Sequence, residues 1–235
     1  MKGLTAVLTK ELATYFRSPI AYFIVAVFLL GTGYFFIYNV FLSGSASMDT
    51  TLQNMGVLLI TVVPAITMRL FSAEYSGKTI ELLMTLPLKK WEIVLGKYLG
   101  AVSIFLIMTA ATCINLIPLV LYGNPDTLNI VSGYIGFILL GMACIAIGQL
   151  FSAVTENQIV AALITWPFLL AFWFVEKFKA FQQTAFLRSF SDYLSFSGHY
   201  GDFLRGLIRS EGIVFFLAVV AIALILNTAY LQGRR

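Results

Sequence analysis

The charged residues of this chain concentrate in one segment, residues 69–97. The segment holds five of the fifteen Lys and Arg residues and three of the eleven Asp and Glu residues, although only 11% of the chain is charged. An acidic, a basic and a second acidic side chain lie at positions i, i+4 and i+7, beginning with Glu74. This spacing predicts ion pairs along one helix face. Leucines beside them add an apolar surface, which favours docking to a partner protein over a loop that only fixes topology. The predicted contact residues are Glu74, Lys78, Glu81, Leu82 and Leu83.

A proline divides this segment into two arms. Pro87 has no N–H group and disfavours helical geometry at Leu86, so the first helical arm is expected to end there. A second helix can begin near residues 89–92 and continue into the following apolar stretch. Residues 72–97 are therefore predicted to form a helical hairpin that projects from a membrane.

Other residues with reactive side chains do not form a catalytic pattern. Gly77-Lys78-Thr79 resembles the end of a phosphate-binding loop, but Ser72 occupies the position where that loop needs its first glycine. His199 has no Cys or second His near it in the sequence, which favours an interfacial residue over a metal ligand. We therefore predict a chain that is not an enzyme and has no nucleotide or metal site of its own.

The composition predicts an all-α, polytopic membrane protein. Sixty per cent of the residues are hydrophobic and 15% are aromatic, well above the composition of a soluble domain. A helical span needs about 20 predominantly apolar residues. Six stretches qualify within a single domain of residues 1–235, and the first is predicted to be an uncleaved anchor. They are residues 20–42, 56–71, 98–122, 131–154, 159–175 and 213–231.

The distribution of Lys and Arg predicts the orientation of these spans. Ten of the fifteen basic residues lie before the first span, in residues 69–97 or at the end of the chain. The other five lie between residues 176 and 212. The positive-inside rule then places both termini and residues 72–97 in the cytoplasm. The net charge of +4 is an orientation signal and does not indicate nucleic-acid binding.

Two further segments are predicted to be amphipathic. Residues 1–18 carry apolar side chains at helical spacing, with Lys2, Lys10 and Arg17 on other faces, and the Ser18-Pro19 pair interrupts the helix. This segment is either a plain anchor or an elbow helix that transmits movement. Residues 176–212 are rich in Phe and predict amphipathic helices at the outer leaflet.

The predicted spans have no Asp, Glu, Lys or His near their centres. Such residues usually mark proton or ion pathways, so their absence weighs against a proton-driven carrier and an intramembrane metalloprotease. A stand-alone secondary transporter or channel, and a membrane anchor that does not transport, stay open as alternatives. Gly96 and Gly100, and four glycines of the fourth span, favour close helix packing inside the chain over a dimer interface.

The charged segment resembles the signature of ABC-2 family permeases, closest to the branch linked to gliding motility and nitrous-oxide-reductase maturation. The similar residues are 74–87, Glu-Tyr-Ser-Gly-Lys-Thr-Ile-Glu-Leu-Leu-Met-Thr-Leu-Pro, and 91–97, Trp-Glu-Ile-Val-Leu-Gly-Lys. Residues 195–208 resemble the family's outer segment before the last span. There the family usually has an acidic residue before the histidine, whereas this chain has Gly198.

This resemblance implies a transporter subunit driven by a partner. It implies a permease dimer in a prokaryotic inner membrane, bound to two copies of a separate ATPase that carries ATP and Mg, with a periplasmic accessory protein as a further partner. Residues 72–97 would hold the coupling helix, and the N-terminal helix with Lys2, Lys10 and Arg17 would be the connecting helix. The outer helices would close the exit, with Phe190, Tyr193, His199 and Phe203 as the outer gate.

Overall fold

The regular structure of the chain is helical wherever it is described. The computed structural model describes residues 2–42, 48–80, 85, 88–122, 126–177 and 191–233. No strand occurs within these ranges, which confirms the all-α prediction.

The N-terminal break falls where the sequence predicted it. Helix α1 spans Lys2–Arg17, and Ser18 then takes an extended conformation with φ −89° and ψ 120°. Helix α2 spans Pro19–Phe36 with its proline in the first turn, where a missing N–H costs nothing. It continues as a π-helical segment, Ile37–Leu42.

The second and third spans flank the charged segment. Helix α3 spans Asp49–Thr67 and contains Pro64, and after a turn the short helix α4 covers Ser72–Ser76. Helix α5 spans Lys90–Thr112, is interrupted by a 3-10 turn at Cys113–Asn115, and is followed by α6, Leu116–Tyr122. The predicted helix start near residues 89–92 is therefore confirmed.

Helices also make up most of the remaining described chain. Helix α7 spans Thr127–Val154, and α8 spans Gln158–Phe174 before a 3-10 turn, Val175–Lys177. Helix α9 covers Phe196–Leu204, and α10 covers Ser210–Gly233. A further helical stretch lies at residues 191–194, between α8 and α9. The side chains of Asp126 and Asn157 cap α7 and α8 by accepting hydrogen bonds from Leu128 N and Ile159 N.

Six helical stretches are long and apolar enough to cross a membrane, which confirms the predicted number. Several extend beyond the predicted bounds, because polar residues such as Asp49 and Lys90 continue the helix at its ends. The stretches are Pro19–Val40, Asp49–Ser76, Lys90–Leu121, Thr127–Val154, Gln158–Lys177 and Ser210–Gly233.

Helices α3 and α7 form the centre of the fold, and α2, α8 and α10 lie at its periphery, where few of their side chains are fully buried. The glycines of α7 allow the close packing that this requires, because an added Cβ at each would clash with a neighbouring side chain. Gly133, Gly136, Gly141 and Gly148 lie against Leu52, Phe203, Phe105 and Thr67, respectively. Their predicted use in internal packing is confirmed.

The first arm of the charged segment differs from the prediction. Helix α4 ends at Ser76, Gly77 terminates it, and Lys78 has a φ of 55°, in the left-handed region. Glu74 and Lys78 therefore do not share the face of one continuous helix, and that part of the predicted charge ladder is wrong. Glu81, Leu82, Leu83, Leu86 and Pro87 lie outside the described residues.

Candidate coupling site

Helix α1 lies directly against α5 because two glycines remove side chains from the contact. A Cβ on Gly96 would lie 2.8 Å from Val7 Cβ, and one on Gly100 would lie 2.8 Å from Glu11 Cβ. Real Cβ atoms do not approach so closely, so only glycine fits at this separation. The pair that the sequence assigned to internal packing therefore fixes the N-terminal helix onto the third span.

Lys97 lies between these two glycines and is almost completely buried, with 1% of its surface exposed. Its ammonium group contacts Glu11 Oε1 at 2.7 Å and Glu74 Oε1 at 3.0 Å. The ammonium also lies 5.2 Å from the centre of the Phe71 ring, a favourable position for a cation over an aromatic face. A buried charge of this kind is stable only when it is paired and hydrogen-bonded.

Lys10 completes a cluster in which opposite charges are equal in number. Its Nζ donates to Glu74 Oε1 at 2.9 Å, so Glu74 contacts two lysines through one carboxylate oxygen. We call Lys10, Glu11, Glu74 and Lys97 the ion cluster. It joins α1, α4 and α5, which lie before the first span, at the end of the second and at the start of the third.

A serine of α7 holds the turn that leads into α4. The Ser152 hydroxyl donates to Met68 O at 3.0 Å and accepts from the backbone N–H groups of Phe71 and Ser72, at 3.0 and 3.2 Å. The Ser72 hydroxyl donates in turn to Ser152 O at 2.9 Å. These contacts satisfy backbone groups that lose their helical partners where α3 ends.

The end of α1 is attached to the end of α3 by two further hydrogen bonds. The Tyr15 hydroxyl donates to Ile66 O at 2.9 Å, and Arg69 Nη1 donates to Ser18 Oγ at 2.8 Å. Burial raises the pKa of the Tyr15 phenol, the negative charge of Glu11 raises it further, and Arg69 opposes both. The phenol therefore stays protonated and remains a donor at physiological pH.

The start of α5 is attached to two other spans. Lys90 Nζ donates to Leu231 O at 2.6 Å, so its positive charge lies at the C-terminal end of α10, where the helix dipole favours a cation. Gln149 Nε2 of α7 donates to Val94 O at 2.9 Å. Movement of the charged segment would thus reach α7 and α10 as well as α1.

A cavity of about 650 Å³ opens between α1 and the segment from Arg69 to Thr79. Its walls combine apolar side chains with hydroxyl and charged groups, including all four residues of the ion cluster. The lining residues are Ala6, Val7, Lys10, Glu11, Thr14, Tyr15, Ser18, Arg69, Leu70, Ala73, Glu74, Thr79, Leu88 and Lys97.

At the opposite end of the spans, a glutamate organises the start of α9. Glu176 accepts hydrogen bonds from the hydroxyls of Ser195 and Ser197 at 2.8 and 3.0 Å, and Ser195 Oγ caps the helix by accepting from Gly198 N. A side chain at Gly198 would begin 3.0 Å from Glu176 Oε2. An acidic residue there would bring a second carboxylate beside this one.

The predicted outer gate residues do not form one group. Tyr193 and His199 line a cavity of about 530 Å³, where the imidazole stacks on the Phe215 ring at 4.1 Å and its Nδ1 contacts Ser195 O. Phe203 is fully buried against Gly136 of α7 and does not line this cavity. Phe190 lies outside the described residues. Among the described residues, no group of three or more His, Cys, Asp or Glu side chains is arranged to hold a metal ion.

Comparison with known families decides the class of the chain. The sequence profile described as "ABC-2 family transporter protein" matches residues 5–187, which include most of α1, the charged segment and the first five spans. The chain belongs to the ABC-2 transporter family. ABC-2 membrane proteins of this family are permease components of transporters without a nucleotide site of their own. No curated protein matches the sequence.

The structure of this ABC-2 protein brings together some of the predicted coupling residues. Lys10 and Glu74 are ion-paired, but Glu74 is only 8% exposed and does not present its carboxylate at the surface. Lys78 and Arg17 are exposed, and the side chain of Lys2 lies outside the described residues, as do Glu81, Leu82 and Leu83.

Sequence reasoning missed the two most buried members of the ion cluster of this ABC-2 protein, Glu11 and Lys97. Both lie on helices with apolar neighbours. Lys97 is 86 positions from Glu11 and 23 positions from Glu74 in the chain. The sequence feature that could have identified Lys97 is its position between two glycines spaced by four residues. That spacing predicts a close helix contact, and a lysine inside such a contact requires an acidic partner.

Proposed function

We propose that this chain is the membrane subunit that couples ATP hydrolysis by a separate ABC ATPase to export or to mechanical signalling across the membrane. The observation that carries the proposal is the buried ion cluster. It connects α4, at the start of the charged segment, to both α1 and α5, so a force on the charged segment moves three helices together. A loop that only fixed topology would not need buried, paired charges at its base.

The surface that contacts the ATPase begins at the exposed Lys78 and continues into residues 81–83. Lys78 follows the break after α4 and is exposed, so its charge is available to a partner. Glu74 has the different role of transmitting displacement to α1 and α5, because its carboxylate is occupied by Lys10 and Lys97. Helix α1 then acts as an elbow helix, and Lys10 is its attachment to the charged segment.

The assembly that we propose contains two permease chains and two ATPase subunits, in which ATP and Mg are bound by the ATPase. Both termini and the charged segment face the cytoplasm of a prokaryotic inner membrane, in accord with the excess of Lys and Arg on that side. Helix α9, anchored to Glu176, lies on the exit side, where an accessory protein would bind. We assign the chain to the branch that resembles gliding-motility and nitrous-oxide-reductase-maturation permeases, on the sequence of residues 74–97.

Purification of the tagged chain in mild detergent, followed by identification of its partners and an ATPase assay, tests the proposal. We expect a stoichiometric ATPase in the eluate. Glu81→Lys reverses a charge on the contact surface and should abolish ATPase stimulation while the protein still inserts into the membrane. Glu211→Lys is the matched control, because Glu211 is exposed on the opposite side of the spans.

A chain that purifies alone and shows no ATP hydrolysis would contradict this proposal and favour a gradient-driven carrier. If the ATPase is present but both charge reversals leave its stimulation unchanged, the contact surface is assigned wrongly.

A further inference from the structure

We propose that the cavity between α1 and the end of α3 binds the phosphodiester headgroup of an anionic membrane phospholipid. The cavity has a volume of about 650 Å³ and is lined by Arg69 and Ser18, together with Thr14 and Thr79, whose hydroxyls donate to the backbone carbonyls of Lys10 and Glu74. Arginine is a preferred side chain for binding phosphate oxygens, and the Ser18 hydroxyl, which accepts from Arg69, keeps its own O–H as a second donor. The proposal does not depend on the ATPase, since it concerns only this chain and the bilayer around it.

The charge of the cavity matches a ligand with one negative charge. Lys10, Arg69 and Lys97 contribute three positive charges, and Glu11 and Glu74 contribute two negative charges, which leaves +1. The ion pairs of the cluster account for both lysines and both glutamates. The remaining charge is therefore that of Arg69.

Arg69 retains hydrogen-bonding capacity for such a ligand. In the described part of the chain, its guanidinium donates one hydrogen bond, from Nη1 to Ser18 Oγ at 2.8 Å. A guanidinium has five N–H donors in a planar fork that matches two oxygens of a phosphate. The Ser18 contact fixes the orientation of this fork, which reduces the entropy lost on binding.

The cavity also contains an acceptor for a donor group of the ligand. Glu74 lines the cavity, is only 8% exposed, and its Oε2 has no hydrogen-bond donor among the described residues. The hydroxyls of a glycerol headgroup can donate to such an oxygen, whereas the quaternary ammonium of a choline headgroup has no N–H or O–H. Phosphatidylglycerol thus has both the single negative charge that matches the cavity and the hydroxyl donors that match Glu74 Oε2.

The cavity lies at the depth of lipid headgroups. Ser18 separates the amphipathic α1 from α2, the first membrane-spanning helix, so the cavity spans the boundary between interface and hydrocarbon. Phe16 and Tyr22 beside this corner are 50% and 59% exposed, and the Tyr22 hydroxyl donates to Phe16 O. An exposed tyrosine such as Tyr22 is typical of the membrane interface. Apolar walls at Leu70, Ala73 and Leu88 then accommodate the glycerol backbone of the lipid.

Native mass spectrometry of the delipidated full chain, titrated separately with phosphatidylglycerol and phosphatidylcholine, tests this inference. We expect phosphatidylglycerol to bind about tenfold more tightly, the factor for one charge-assisted hydrogen bond. Arg69→Gln should remove this preference. Arg17→Gln is the matched control, because Arg17 is exposed at the end of α1, next to the same corner, but does not line the cavity. It should leave the preference intact.

Equal binding of the two lipids by the unmodified chain, or equal losses in the two variants, would overturn the proposal. Inorganic phosphate that displaces the lipid at comparable concentration would show that the ligand is a free anion. If Arg69→Gln does not fold, Ala73→Leu provides a second variant that fills the cavity and leaves every member of the ion cluster in place. It should weaken phosphatidylglycerol binding, and unchanged binding would contradict the assignment of the lipid to this cavity.

Discussion

At the scale of single residues, Lys97 is the most informative side chain in the molecule. A lysine that is 1% exposed loses nearly all of its hydration, and the two carboxylates at 2.7 and 3.0 Å compensate for this loss. Neither carboxylate is close to Lys97 in the sequence. The ion cluster therefore forms only when α1, α4 and α5 are all in place, and it selects that arrangement over others.

Replacing Lys97 should have a large effect on stability. Lys97→Met leaves Glu11 without its described ion-pair partner and should lower the free energy of unfolding by about 3–5 kcal/mol, the usual result of breaking a buried pair. Thermal unfolding in detergent measures this change. Lys78→Met, at an exposed position, is the control and should be close to neutral.

The double variant Lys97→Met with Glu11→Gln separates charge from packing. It removes both members of the closest pair, and Glu74 keeps Lys10 as its partner, so stability should recover in part. A Lys97→Met protein as stable as the unmodified chain would contradict the importance of the cluster.

The contacts of these charged residues could not be predicted from the sequence. Glu74 and Lys10 were predicted as functional because of their charge and their segment. Their contact could not be foreseen, because it depends on how α1 lies across α5. Lys97 was recognised only as the end of a charged segment, since burial of a lysine depends on tertiary contacts that helix periodicity does not describe.

Among the helices, the contact of α1 with α5 buries one face of α1, so this amphipathic helix is part of the core. Val7, Glu11 and Tyr15 lie on one face of α1 and are buried, whereas the exposed Phe16 lies on another face. The sequence predicted this helix and its end at Ser18 correctly, because the signals are local: apolar periodicity, and a proline that follows. It did not predict the early end of α4, because the spacing of charges suggested a helix that Gly77 and the left-handed Lys78 interrupt.

Enlarging Gly100 should weaken this contact selectively. The Cβ of Gly100→Ala would lie 2.8 Å from Glu11 Cβ, so α1 must shift away, at a cost of about 1–3 kcal/mol. Gly33→Ala is the matched control, because an added Cβ there meets nothing within 4 Å and alanine favours a helix. Limited proteolysis of α1 and thermal unfolding measure the difference. Equal behaviour of the two variants would show that α1 is not held by this packing.

At the scale of the whole molecule, six spans and the distribution of charge define two different ends. At one end lie the ion cluster, the charged segment and the C-terminal end of α10, which is hydrogen-bonded to Lys90. The other end has α9, with Glu176 and its serines. The number of spans follows from composition, whereas the outer helix and its buried Tyr200 and Phe203 depend on contacts across the fold.

The proposed orientation predicts which end a membrane-impermeant thiol reagent reaches. In a background with Cys113→Ser and Cys144→Ala, the exposed Thr127 and Glu156 flank α7 at its two ends and can be replaced by cysteine one at a time. Thr127→Cys should react in intact cells and Glu156→Cys only after the membrane is permeabilised. The opposite pattern would reverse the orientation and place the charged segment outside the cell.

The contacts of Ser152 determine how freely α4 can move. A helix that stops at Thr67 and resumes at Ser72 would ordinarily be joined by a hinge with several rotational degrees of freedom. The Ser152 hydroxyl contacts both sides of that hinge, at Met68 O and at the N–H groups of Phe71 and Ser72. Bending at the hinge therefore requires either that α7 moves with it or that these hydrogen bonds break. The second and fourth spans are thus less free to move independently than the loops that connect them would allow.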